Sequence, residues 1–270
     1  MVSGIVASGE SRTTRGRGDG VLKTPRKWLL RQNAELRDIG AFNWTLPALG
    51  VKLDDGRVIK TCPQAGVCAQ FCYARNGTFL FPTAKKAHAN NLKMVLDDLT
   101  GWQSAMIEEL SHKRYRGGKY VRIHDSGDFF SDEYLEAWIY IARVIPDITF
   151  YAYTKEVSRF KRIADKEYYS STARPAGMQR LTPKNFLYLY SLGGLEDHLI
   201  DLENDRHAEV FPTAEALEAA GYFNQEASDI LAITAPTNKI GIVANNIPSF
   251  KKKQGALTFG QHQERKAING

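Results

Sequence analysis

The chain has 270 residues, 43% of them hydrophobic and 11% aromatic, enough for one large domain with a buried core, and α/β barrels of this length commonly stand undivided. No window approaches the ~18 apolar residues a membrane span needs, and residues 1–20 hold no apolar run of the kind a secretory signal uses, so a membrane protein is excluded and a cytoplasmic, reducing setting is expected. The formal net charge is +6, but seven Lys or Arg against two Asp or Glu fall within residues 1–32, so the basic character sits at one end and the body is close to neutral.

Residues 1–20 mix Gly, Ser, Thr and Arg without periodicity and are expected to form a flexible basic arm that could touch the phosphates of a nucleic acid. A short helical pattern spans 27–36 (KWLLRQNAEL), and 41–49 (AFNWTLPAL) has strand character. Residues 51–53, an Asp55-Gly56 turn and Val58-Ile59 predict a hairpin. Phe81-Pro82-Thr83 then stops the chain, and Thr83 is the expected N-cap of a long helix reaching about residue 114, with an apolar stripe from Ala87 through Leu110 facing the core. Strands follow at 119–123, 148–153, 185–191, 209–211, 230–234 and 239–243, separated by helices from Ser131 to about 143, at about 155–165 and at 214–220. Alternating strands and helices mean parallel pairing and right-handed crossovers. Six strands predict a partial (β/α)6 TIM-like barrel over residues 21–250, with a doubly wound open sheet as the alternative, and 251–270 form a polar, basic tail expected to fray.

All three cysteines lie in residues 61–74, TCPQAGVCAQFCYA, with five and then three residues between them. An odd count confined to one loop argues against disulfides. Three buried, inert thiols are the plain reading, but a Gly-, Ala- and Pro-containing loop can wrap Cys62, Cys68 and Cys72 around one metal centre. Three soft thiolates suit zinc or an iron–sulfur cluster and leave one position without a cysteine. Zinc would take its fourth ligand from His88 or His124, whereas a [4Fe-4S] cluster needs none if a small molecule supplies it. With no second CxxC or HxxxH pair nearby, the cluster is favoured.

Ligands of parallel α/β proteins collect at the carboxyl ends of strands. There the chain carries His124, Asp125, Ser126, Gly127 and Asp128 after one strand, Tyr151, Tyr153, Thr154 and Lys155 at the next, Tyr190, Ser191, Gly193 and Gly194 after a third, and Asn245-Asn246 after the last. Turns also use Asp, Ser, Gly and Asn, and Tyr or Lys can snorkel. An imidazole and two carboxylates within five positions nevertheless exceed what a turn requires.

The segments CPQAGVCAQFCYARNGTF, VRIHDSGDFFSDEYL, FYAYTK and LYSLGG resemble the phage gene-product-eighty-eight family over about residues 30–245. The three-cysteine loop resembles the radical S-adenosylmethionine (SAM) superfamily, whose usual spacing is three then two residues. Phe71 occupies the aromatic position before the last cysteine, and residues 126–128 resemble a variant of that family's Gly-Gly-Glu motif. The resemblance implies a [4Fe-4S] cluster on Cys62, Cys68 and Cys72. It implies SAM at the open iron, with Phe71, Tyr73, Ser126, Gly127, Asp128, Tyr153, Ser191, Gly193 and Asn245 around the cofactors and His124, Asp125 and Lys155 as catalytic candidates. The reaction it implies is reductive SAM cleavage and hydrogen abstraction from a substrate. The alternative expectation is a non-enzymatic iron–sulfur or zinc protein that binds nucleic acid or a host partner.

Overall fold

A computed structural model describes residues 28–117, 119–170, 177–245 and 247–269, so the expected basic arm over 1–20 and Asn246 lie outside the described residues. Of the helix expected over 27–36, only residues 34–36 are helical among those described; before them Arg31 and Asn43 exchange backbone hydrogen bonds of 2.9 and 2.8 Å in an antiparallel bridge. The Glu109 carboxylate accepts from Leu29 N and from Leu30 N, the latter at 2.9 Å. Helix α1 (Ala34–Asp38) starts only where Asn33 can cap it, its side chain accepting from Leu36 N at 2.7 Å.

Strand β1 (Ala41–Trp44) is buried throughout and leads to the hairpin of β2 (Val51–Lys52) and β3 (Val58–Ile59), which delivers the cysteine loop. The long helix expected after it is two. Helix α2 (Pro82–Asp97) begins with Phe81, not Thr83, at the cap position and Pro82 in its first turn. Asp98 then leaves helical geometry and accepts from Gly101 N at 2.8 Å, capping α3 (Leu99–Leu110).

Next come β4 (Tyr120–Ile123), α4 (Asp132–Val144) capped by Ser131 as expected, β5 (Thr149–Thr154) and α5 (Val157–Ile163). An antiparallel pair, β6 (Glu167–Ser170) and β7 (Gly177–Arg180), is followed by β8 (Phe186–Ser191), β9 (His207–Phe211), α6 (Ala214–Ala219) and the short β10 (Phe223–Asn224). The expected strand at 230–234 is instead helix α7 (Leu231–Thr234), because a short apolar run has no period that separates a strand from one helical turn. Strand β11 (Lys239–Val243) matches its expected bounds. The expected fraying tail forms α8 (Pro248–Gln254) and α9 (Phe259–Asn269), which bury Gln254 and Gln263.

Seven strands form one sheet in the order β1-β4-β5-β8-β9-β11-β10, and every pair in it is parallel. The first six follow chain order, without the reversal that defines a doubly wound sheet. The sheet is open, with β1 and β10 as its edges. Trp44, Trp102, Tyr134, Trp138, Phe150 and Phe160 are fully buried where β1, β4 and β5 meet α3, α4 and α5. Burying each such side chain contributes about 1.5–3 kcal/mol. No helix among the described residues is long and apolar enough to cross a membrane.

A cysteine-lined cavity at the strand ends

A cavity of about 770 Å³ opens at the carboxyl ends of β4, β5, β8 and β11, and Cys62, Cys68 and Cys72 all line it. Of the other expected site residues, Phe71, Tyr73, His124, Asp125, Ser126, Gly127, Asp128, Tyr153, Lys155, Ser191 and Asn245 line it too, while Gly193 stands behind the cysteine loop.

The loop's path is set by backbone contacts. Leu49 takes a left-handed φ of 61°, and its carbonyl accepts from both Thr61 N (3.0 Å) and Cys62 N (3.2 Å). Leu49 N points at Cys62 Sγ, 3.3 Å away. Further on, Cys68 N donates to Gly193 O at 3.0 Å and Val67 N to Gln263 Oε1 at 2.8 Å. Gly66, at φ 52°, lets these meet, because a Cβ there would lie 2.6 Å from both Gly193 O and Gln263 Oε1. Phe71 stacks on Phe259 at 4.9 Å. The loop is therefore gripped by the end of β8 on one side and by α9 on the other.

All three cysteines are free thiols and half-buried. Burial pushes the Cys62 and Cys72 thiols above the usual cysteine range. Among the described residues no group of three or more His, Cys, Asp or Glu is arranged to hold a metal ion, the three cysteines included. His124 Nε2 instead lies 2.9 Å from the Tyr134 hydroxyl, and the His88 ring packs on Phe79.

Residues 126–128 brace the loop. Ser126 Oγ donates to Leu46 O at 2.6 Å, and a Cβ on Gly127, at φ 85°, would approach Leu46 Cβ to 2.6 Å. Asp128 N donates to Thr61 O at 2.7 Å. The Asp128 carboxylate accepts from Phe129 N (2.8 Å), Thr154 Oγ1 (2.7 Å) and Lys155 N (2.9 Å), so this chain's own donors occupy it. Burial raises its pKa; burial and then Asp128 itself raise that of the neighbouring Glu156, which accepts from Gln64 N in the cysteine loop.

Lys155 Nζ is equally committed, donating to Ser191 O, Ser191 Oγ and Leu192 O at 2.7, 2.7 and 2.9 Å. The His124 ring packs on Phe129 in the core, where burial lowers its pKa to about 3, so the imidazole stays neutral near pH 7. These two catalytic candidates thus have structural work. Asp125 differs: it faces Arg122, and burial raises its pKa against the lowering effect of that guanidinium.

Sequence reasoning missed Arg122, Gln225, Asp229 and the α9 residues. The Tyr151 hydroxyl donates to Asp229 Oδ2 at 2.5 Å, and that of Tyr153 to Gln225 Oε1 at 3.0 Å. Arg122 pairs in register with Tyr151. An arginine between buried Val121 and Ile123 was the available signal, since alternation places it on the opposite face from the core.

The family model described as Gene product 88 matches residues 27–269. The chain is also similar to the Gene 88 protein of Mycobacterium phage L5, 33% identical over 102 residues that make up 35% of this chain and 43% of that protein. Similarity to the Gene 88 protein of Mycobacterium phage D29 is 31% over 102 residues, 35% of this chain and 42% of that one. The matched part spans less than half the length of these curated relatives. No solved structure matches the chain. The matches support the phage-family expectation and lend nothing to the radical SAM one. With all the described residues inside the family match, the chain belongs to the Gene product 88 family.

Proposed function

We propose that this chain is an iron–sulfur enzyme of the radical SAM type, in which Cys62, Cys68 and Cys72 hold one [4Fe-4S] cluster and the cavity beside them takes SAM and a small-molecule substrate. The observation that carries the reading is that three free cysteines of one loop line the same cavity as the carboxyl ends of four parallel strands. A partial (β/α)6 barrel belongs to the same proposal, supported by six strands in chain order. The donor set fits a cluster better than a single ion. Zinc needs four ligands about one point and only three cysteines line the cavity, whereas a cubane takes each thiolate at a separate iron and leaves the fourth iron to a small molecule. A thiol kept protonated by burial becomes a ligand when a metal displaces its proton.

When bound, the cluster and SAM supply one-electron cleavage of a carbon–sulfur bond. The chain's residues position the loop. Gly193 and Gln263 fix the loop, Asp128 ties it to the end of β5, and Phe71 packs it against Phe259 of α9. Calorimetric titration of SAM into anaerobically reconstituted protein tests the reading. Saturable binding that is lost in Cys68→Ser, with methionine released on reduction, is expected. Absence of SAM binding to cluster-loaded wild type would sink it.

A further inference from the structure

Charge is spread unevenly over the body of the chain, and the unevenness falls at the mouth of the cavity. Residues 57–96 contain no Asp or Glu, in a chain that has 30, and carry six Lys or Arg. Arg57 and Lys93 pair with Asp55 and Asp97. Among the described residues Arg75, Lys85 and Lys86 are exposed and pair with no carboxylate. Aromatic side chains run between them. Tyr73 lines the cavity, donates its hydroxyl to Asp125 O and meets the Phe79 ring at 5.6 Å, and Phe79 in turn lies 5.8 Å from the His88 ring. Phe81, at the start of α2, shares one face of that helix with Lys85 and His88 through spacings of four and then three residues. Phe81 is 59% exposed and Tyr73 38%. From α8, Lys253 Nζ reaches within 5.4 Å of the Phe71 ring centroid, with Lys251 and Lys252 exposed beside it.

A surface this free of carboxylates selects a polyanion, and cations without protein partners are the ones that release counterions when phosphates bind. The rings set among those cations select further. An acidic protein has no base to lay on Phe81 or Tyr73, and a duplex keeps its bases stacked on each other, whereas a single strand offers an unstacked face at every step. The cavity's walls at α1 and just after β10 carry Glu35, Asp38 and Glu226, which keeps phosphates to the side of α2 and α8. We infer that the edge running from Tyr73 to Lys86, with Lys253 beside Phe71, is a binding surface for single-stranded nucleic acid, held by its phosphates and by stacked bases at the mouth of the cavity. The inference goes beyond the cluster reading and does not depend on it.

The test is fluorescence anisotropy of the anaerobically purified full chain with labelled oligodeoxythymidine and oligouridine strands over a range of salt. Saturable binding of at least one strand is expected, roughly tenfold or more tighter than to a duplex of the same length or to polyglutamate, and the tighter of the two strands identifies the sugar. Arg75→Gln, Lys85→Gln and Lys86→Gln should each flatten the slope of log K against log salt by about 0.7. Phe81→Ala should weaken binding about fivefold or more and leave that slope unchanged. All four side chains are exposed, so the variants keep the fold. No binding of either strand overturns the inference, and so does equal binding of the duplex or of polyglutamate, which would mark a surface for any polyanion or for an acidic protein. Binding that is unchanged in these variants but lost on Arg12→Gln, Arg15→Gln and Arg17→Gln together would place it on the basic arm and overturn the inference as well. Iron and sulfide measured on the same samples separate the two claims. Strand binding without a cluster keeps the surface and removes the enzyme reading, and a cluster without strand binding removes the surface alone.

Discussion

Replacing Gly66 with Ala probes how tightly the cysteine loop is seated, and Gly77 provides a control in the same region. Both glycines are left-handed, at φ 52° and 58°. That conformation costs an L residue roughly 1–2 kcal/mol. At Gly77 a Cβ meets nothing within 4 Å, so this strain is the whole penalty. At Gly66 it would stand 2.6 Å from Gly193 O and Gln263 Oε1 and 2.7 Å from Gly194 C. Two of those atoms are backbone and cannot swing away, so an overpacking cost of about 1–3 kcal/mol is added. The lower unfolded-state entropy of Ala offsets about 0.4–1 kcal/mol in both variants and leaves their difference unchanged. Urea unfolding followed by circular dichroism should therefore show Gly66→Ala less stable than Gly77→Ala by about 1–3 kcal/mol. Equal losses would refute the close seating of the loop on β8 and α9.

Lys155→Met should lower stability by about 2–4 kcal/mol in urea unfolding, because it strips the donor from the buried Leu192 carbonyl and from the part-buried carbonyl and hydroxyl of Ser191; a silent substitution would contradict the structural role of that ammonium. Asp128→Asn turns an amide N–H toward a backbone donor of Phe129 or Lys155 and should cost a similar ~2–4 kcal/mol, so a variant of wild-type stability would return Asp128 to the list of ligand-binding groups. Glu209 accepts from Val210 N and Gly260 N, and burial pushes its pKa up to about 7. The folded state therefore holds a proton that the unfolded state has released above the ordinary Glu value. The contribution of Glu209 to stability is fully present below its unfolded pKa and is lost as pH rises to about 7, by about 3 kcal/mol at ~1.4 kcal/mol per pH unit. Glu209→Gln should show a shallower fall than wild type between pH 5 and 7, the buried Glu156 keeping its own share, and parallel curves would show that Glu209 contributes none of it.

The parallel sheet was legible because β4, β5, β8 and β11 read as apolar runs between turn signals, and the cavity because polar residues follow those runs. What was not legible depends on contacts distant in sequence. The polar segment after Phe250 looked unable to order itself, yet α9 is held by Glu209 at its start and by Gln263 on the cysteine loop. Asp98 divides the long helix by capping its second half, which an apolar stripe continuous across the break conceals. Composition could place His124, Asp128 and Lys155 at strand ends. Whether their polar atoms would face the cavity or be taken by Tyr134, Phe129, Thr154, Ser191 and Leu192 depended on tertiary packing.

Iron and acid-labile sulfide per chain in anaerobically purified protein test the central claim most directly. The proposed cluster requires a brown protein with about four iron and four sulfide per chain, falling to near zero when Cys62, Cys68 or Cys72 is changed to Ser while the chain stays folded. Stoichiometric zinc with no sulfide, even after anaerobic reconstitution, would contradict it.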